Sequence, residues 1–139
     1  MIITNSDGGA RGNPGPGAIG VIIRREGEIL KKFSKFIGER VTNNIAEYEA
    51  LIMALKLALE YDKEVTCVLD SELLVKQLLG EYRVKQPQLL DLFKKVQKEQ
   101  DKFDKVKYVH VSRWDKFQQM ADELVNEELD NKGYKRKYR

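Results

Sequence analysis

The sequence predicts an α/β domain in which five strands and four helices follow the order βββαβααβα, forming a mixed sheet with helices packed on it. Three observations predict it. The first forty residues hold β-rich runs separated by glycine and proline, without a helical period. A strongly helical stretch, 45–61, then leads to a short apolar strand, 65–69, and a right-handed crossover of this kind makes the pairing with the first strand parallel. Beyond it come two helix-forming segments, a strand-forming one and a last helix.

Met1-Ile2-Ile3 opens the first strand, which is expected to stop where the glycines of TNSDGGARGNPGPGAIG (4–20) begin. Asp7 then sits at a strand end, beside Gly8 and Gly9, whose bare backbone leaves room for a large ligand. Asp7 is either a metal-holding carboxylate or the hydrogen-bonding residue of a tight turn. Gly15, Gly17 and Gly20 match G-x-G-x-x-G by spacing, but a dinucleotide site needs that pattern to open a helix. Here it opens the β-rich run Ala18-Ile-Gly-Val-Ile-Ile23, so a Rossmann reading is set aside.

Segments 18–25 and 28–38 form a hairpin around a tight turn at Glu26-Gly27. Thr42-Asn43-Asn44 supplies capping residues for the helix 45–61. On that helix Glu49, Met53, Lys56 and Glu60 share one side, and Leu51, Ala54, Leu55 and Ala58 the other. Glu47 falls with the apolar set, about 160° round from Glu49 at ~100° per residue. A carboxylate aimed at the sheet needs compensation, either from a cation or paired base or by being protonated and hydrogen-bonded.

Strand 65–69 ends in Asp70-Ser71 and is followed by a short helix, 72–79, closed by Gly80. Asp70 is either a group at the carboxyl edge of the sheet, where ligands collect in open α/β folds, or with Ser71 only a helix cap. A helix 87–103, a strand 106–111 and a helix 116–130 complete the body. On helix 87–103, Asp91, Lys94, Lys95, Lys98 and Lys102 share a face opposite Leu89, Phe93 and Val96. On the last helix Phe117, Ala121, Leu124 and Val125 form the apolar face, with Asp122 on the flank beside Gln118 and Asn126.

One hundred and thirty-nine residues with 42% hydrophobic and 34% charged character are those of one ordinary soluble domain. No apolar run has the length of a membrane span, and no signal-peptide layout opens the chain, so a membrane site is excluded and a cytoplasmic location expected. Cys67, the single cysteine, lies in an apolar run and reads as a buried hydrophobe in a reducing compartment. Five positive charges fall in the tail 132–139, which leaves −2 of the net +3 on residues 1–131. Such a tail either holds phosphate backbones or is a solvated, disordered end.

Asp7, Glu47 and Asp70, with Asp122 if its flank faces the strand ends, are oxygen ligands without a His or Cys cage. That donor chemistry suits Mg²⁺. Four carboxylates around two ions ~4 Å apart suit in-line phosphodiester hydrolysis, one ion activating water and the other steadying the leaving oxygen.

DGGARGNPGPG after a strand, TNNIAEYEAL opening a helix, DSELLVKQ after a strand, and HVSR followed by ADELVNEEL together resemble the four signature blocks of type 1 ribonuclease H, in family order over nearly the whole chain. The resemblance implies the ribonuclease H-like fold: three antiparallel then parallel strands, with helices on both faces of the sheet. It implies a catalytic domain over 1–131 that cleaves the RNA strand of RNA/DNA hybrids with Mg²⁺, two ions per site with substrate and Mn²⁺ as a substitute, leaving 5′-phosphate and 3′-hydroxyl ends. Carried over residue by residue, Asp7, Glu47, Asp70 and Asp122 are the catalytic and metal-holding acids. Gly8, Gly9, Asn13, Asn43, Asn44 and Ser71 are the substrate contacts, and Arg113 assists product release or metal exchange. Short amides and bare backbone suit the wide, shallow minor groove of an A-like duplex.

Glu72 stands where many relatives have Gln, and Gln118 where many have Asn. Asn5-Ser6 is a more polar approach to the first acid than usual, and His110, the only histidine, falls in a strand. Trp114 is expected to close the core, with stacking on a base as the alternative. The lysines of helix 87–103 or the tail are expected to track the DNA strand. The chain is expected to act as a monomer without a protein partner. Rival readings are a catalytically silent hybrid-binding module and a junction-cutting nuclease of the same superfamily.

Overall fold

A computed structural model describes residues 1–135, so half of the basic tail, 136–139, lies outside the described residues. The elements are β1 (Ile2–Ala10), β2 (Gly15–Arg25), β3 (Glu28–Val41), α1 (Asn43–Ala58), β4 (Glu64–Leu69), α2 (Glu72–Leu78), α3 (Pro87–Gln100), β5 (Lys105–His110) and α4 (Lys116–Asn131). They form one five-stranded sheet in the order β3-β2-β1-β4-β5. β1, β2 and β3 pair antiparallel, and β1, β4 and β5 pair parallel.

Strand boundaries differ from the sequence reading at several ends; β3 runs on to Val41 rather than stopping at residue 38, and β4 and β5 each start one residue earlier. β1 does not stop at the glycines but runs on through Asp7, Gly8 and Gly9 to Ala10, and β2 begins at Gly15 rather than at residue 18. The reason is pairing: Asp7, Gly8 and Gly9 face Gly20, Ile19 and Ala18 across the hairpin, and this ladder holds glycines that local propensity assigns to a loop. On its other side β1 pairs with β4 only as far as Asn5↔Val68. Asp7 is therefore inside a strand with respect to β2 and beyond the end of the sheet with respect to β4.

Helices cover both faces. α1 packs on β1 and β2 and is itself covered by α3, while α4 packs across β1, β2 and β3 on the opposite face. Because α1 lies between sheet and α3, Tyr48, Ala50 and Ile52 are buried along with Leu51, Ala54, Leu55 and Ala58. The main core joins Val21 and Ile23 of β2, Val65, Cys67 and Leu69 of β4, and Leu89, Leu92 and Val96 of α3 around Leu51 and Leu55. Cys67 is buried within it, and burial pushes its thiol up to about 12. The Tyr48 hydroxyl donates to Gln77 Oε1 (2.6 Å) and ties α1 to α2.

Glycines let the helices come close. A Cβ on Gly8 would lie 2.1 Å from the Ala46 carbonyl oxygen of α1, and one on Gly20 would lie 2.3 Å from the Ala121 carbonyl oxygen of α4. Contacts that short require a residue without a side chain. Successive strand residues alternate faces, so Gly8 seats α1 on one side of the sheet and Gly20, opposite Asp7, seats α4 on the other. Among the described residues no helix is long and apolar enough to cross a membrane.

Candidate active site

The site forms where β1 outruns β4. Continuing the register Asn5↔Val68 by two residues brings Asp7 alongside Asp70, on the same face of the sheet. Glu47 enters from α1, just past its first turn, which the seat at Gly8 holds against the sheet. One carboxylate oxygen from each of Asp7, Glu47 and Asp70 lies within 4.8 Å of the other two. Asp122, from α4, shares with them a cavity of about 490 Å³ that is also lined by Gly8, Gly9, Asn43, Arg113, Trp114 and Gln119.

Capping does not use the acids. Thr42 Oγ1 accepts from Ile45 N (3.2 Å) at the start of α1, and Ser71 Oγ accepts from Leu74 N (3.2 Å) at the start of α2. Ser71 is thus the cap, and Asp70 is left to face the cavity. The Ser71 side chain also acts on the Glu47 carboxyl, favouring its charged form.

Crowding like charges in a partly dry site has the expected electrostatic effect. Burial, then repulsion from Asp70 and Asp122, holds Asp7 well above the usual carboxylate range, and a hydrogen bond to Asp122 favours its protonated form. Burial and the Asp70 charge push Glu47 up to about 7, against the pull of Ser71. Asp70 is also raised, chiefly by burial, although a backbone hydrogen bond, His110 and Arg113 act the other way. These acids repel one another, and a hard divalent cation relieves all of them at once. With oxygen donors only, the residues present fit Mg²⁺ or Mn²⁺.

The other expected residues fall into distinct groups. Asn13 and Asn43 clamp the loop to α1: Asn43 N donates to Asn13 Oδ1 (3.1 Å), and Ala10 N donates to Asn43 Oδ1 (2.9 Å). Asn13, Asn43 and Asn44 are exposed at one end of the site. Gly8 owes its lack of a side chain to the backbone of α1 rather than to room for a ligand, whereas a Cβ on Gly9 would make only an ordinary 3.7 Å contact with Val125. Arg113 lines the cavity, its guanidinium 4.7 Å over the Trp114 ring. Trp114 does not close the core: it is 68% exposed, because α4 begins right after it and leaves the 111–115 loop on the surface. On α3 the lysines Lys94, Lys95 and Lys98 face solvent, and Lys102 pairs with Glu99 (3.0 Å).

Sequence reasoning missed a polar spine under the acids. Gln118, placed on the flank of α4 by its spacing, is fully buried. Its Nε2 donates to the Ser6 carbonyl (2.7 Å) and its Oε1 accepts from Asn5 Nδ2 (3.3 Å). Arg24 Nε donates in turn to Asn5 Oδ1 (2.8 Å), and its guanidinium stacks 4.1 Å over Phe117. The polar pair Asn5-Ser6 before Asp7 was the signal for it: a strand interior carrying Asn requires a partner from elsewhere.

The reverse-transcriptase-like family matches residues 5–128 of this chain. Ribonuclease HI of Halobacterium salinarum is 39% identical over 127 residues, covering 90% of this chain and 62% of that protein. A bifunctional protein of Mycobacterium tuberculosis is 36% identical over 132 residues, covering 93% of this chain. This chain spans only 35% of that longer relative. Among solved structures, LC11-RNase H1 in complex with an RNA/DNA hybrid superposes with a TM-score of 0.87 at 44% identity, covering 95% of this chain and 99% of that one. The match over residues 5–128, with the close superposition and 44% identity to LC11-RNase H1, leads to one conclusion: the chain belongs to the reverse-transcriptase-like family and, within it, to the type 1 ribonucleases H.

Proposed function

We propose that this chain hydrolyses the RNA strand of RNA/DNA hybrids, endonucleolytically and with divalent cations held by Asp7, Glu47, Asp70 and Asp122. The observation that carries the reading is the convergence of three carboxylates within 4.8 Å from three separate elements, with a fourth on the same cavity. Such a cluster destabilises the bare fold and is useful only if something positive occupies it. A relative with 44% identity has been solved with an RNA/DNA hybrid, which supports the choice of substrate.

When bound, a pair of Mg²⁺ ions supplies the charge that balances the acids, activates the attacking water and stabilises the leaving oxygen. The protein's own residues do the rest. Asp7 is central, since both Asp70 and Asp122 act on it. Asp70, free of capping duty, shares its face of the sheet, and Glu47 is steadied by Ser71. Gly8, Gly9, Asn13, Asn43, Asn44 and Ser71 would meet the duplex at the minor groove, with the clamp between Asn13 and Asn43 preorganising both amides. Arg113, stacked on Trp114 at the cavity, would assist product release or metal exchange. In-line attack by water at phosphorus breaks the bond to the 3′-oxygen and leaves 3′-hydroxyl and 5′-phosphate ends.

The test is a substrate panel of end-labelled hybrid, single-stranded RNA and duplex DNA, each with Mg²⁺, Mn²⁺ or chelator. The reading expects cleavage of the hybrid alone, within its RNA strand, and only with metal. Binding without cleavage would replace it with a silent hybrid-binding module, and cutting of a branched DNA added to the panel would replace it with a junction nuclease.

A further inference from the structure

We propose that Arg11 is a positioning residue for Asp122, acting through Asn126. Arg11 lies in the loop between β1 and β2, its backbone N–H fixed to the Pro16 carbonyl (2.9 Å). Its side chain is only 8% exposed and reaches the far end of α4. One terminal nitrogen, Nη2, donates to both the carbonyl oxygen (3.2 Å) and Oδ1 (3.1 Å) of Asn126. The other, Nη1, pairs with Asp130 (2.7 Å) and donates to the carbonyl of Tyr134.

This arrangement fixes the Asn126 amide. A guanidinium has donors and no acceptor, so only the amide oxygen can face it. The amide nitrogen must then point the other way, and there Asn126 Nδ2 donates to Asp122 Oδ2 (3.3 Å). Asp122 is the exposed member of the acid cluster, and the other three come from β1, α1 and the end of β4. Its carboxylate is thus steadied from within α4, one turn away, by an amide whose orientation Arg11 dictates. The segment after α4 completes the seat. The Tyr134 ring stacks on Phe36 (5.8 Å between centroids, 8° between planes), its hydroxyl donates to Glu39 Oε1 (3.2 Å), and its N–H donates to the Leu129 carbonyl (3.1 Å). The start of the basic tail is therefore part of the support for the fourth acid.

The inference rests on the proposed role of Asp122 as a metal ligand, and its test reads metal binding as well as turnover. Asn126→Ala removes the donor while leaving the contacts of Arg11 with Asp130 and Tyr134. Arg11→Lys keeps a positive charge but loses the fork. Each variant, and the double variant, is titrated with Mn²⁺ without substrate, following the free ion by electron paramagnetic resonance. Steady-state cleavage of hybrid and the melting temperature are measured alongside. Loss of an outer-shell partner of this kind costs about 10-fold or more in metal affinity or activity. We expect Asn126→Ala to weaken Mn²⁺ binding by about 10-fold and to lower kcat with little change in KM. Arg11→Lys should act in the same direction, and the double variant should be no worse than the weaker single one. Wild-type Mn²⁺ affinity in Asn126→Ala, or single effects that multiply in the double variant, would overturn the proposal. A melting-temperature loss in Arg11→Lys with unchanged metal affinity would also overturn it. A wild type that shows this Mn²⁺ pattern but cuts no hybrid would support the positioning role while removing the nuclease reading.

Discussion

Gly8 of β1 faces the carbonyl of Ala46 so closely that a Cβ would lie 2.1 Å from its oxygen and 2.6 Å from the Glu47 amide nitrogen. The contact is backbone against backbone, so no side-chain rearrangement can relieve it. Gly8→Ala should therefore push the first turn of α1 away from the sheet and carry Glu47 out of the cluster. The expected cost is about 2–3 kcal/mol, with a collapse of cleavage activity. Gly9→Ala, whose added methyl meets only Val125 at 3.7 Å, should be tolerated. Urea midpoints and activity of the pair check the contrast, and equal penalties would contradict it.

Glu47, raised to about 7 by burial and by Asp70, gives a signed pH dependence. Its folded value exceeds its unfolded one, so between those values the folded state holds more protons and stability falls as pH rises. The loss is complete above the folded value, at pH 8 and beyond, and is on the order of 3 kcal/mol. Glu47→Gln should therefore stabilise the metal-free protein at pH 8, have little effect below pH 4.5, and abolish cleavage. Saturating Mg²⁺ should stabilise the wild type at pH 8 more than the variant. Melting temperatures across pH, with and without the ion, give the answer.

Gln118 supports the acids from beneath. Gln118→Leu leaves the Ser6 carbonyl and the Asn5 amide without their partner in a buried setting, for an expected loss of about 2–3 kcal/mol. A near-neutral result by denaturation would show that the network contributes little.

Much of this architecture is legible in the sequence, for identifiable reasons. Glu47 stands out because helical spacing places a carboxylate among apolar residues, and Asp70 because it ends a short apolar strand. Asp122 carries no such mark, being an exposed acid on a helix flank, and only its resemblance to a family block points to it. Other features depend on partners distant in sequence. Asp7 lies within a strand because β2 pairs with the glycines, and Gln118 is buried because Asn5 and Ser6, more than 110 residues away, receive it. Arg11 reads as a loop residue until α4 and Tyr134 close around it.

Trp114, 68% exposed beside the cavity and stacked with Arg113, should be dispensable for folding. Trp114→Ala is expected to change stability by less than about 0.5 kcal/mol while raising KM for the hybrid. A large stability loss would return Trp114 to a structural role.

Lys94, Lys95 and Lys98 form an exposed basic face on α3. If they follow the DNA strand, replacing all three with alanine should flatten the salt dependence of hybrid affinity, by about one unit of slope for each phosphate no longer neutralised. An unchanged slope would leave them as a solvated face.

The most direct measurement is cleavage of labelled RNA/DNA hybrid in Mg²⁺ by the wild type and by Asp7→Asn, at matched folded concentration. Asp7 is the acid on which both Asp70 and Asp122 act, so its loss should reduce the variant to the level of chelated wild type. Undiminished cleavage by Asp7→Asn would contradict a metal-dependent nuclease centred on these four carboxylates.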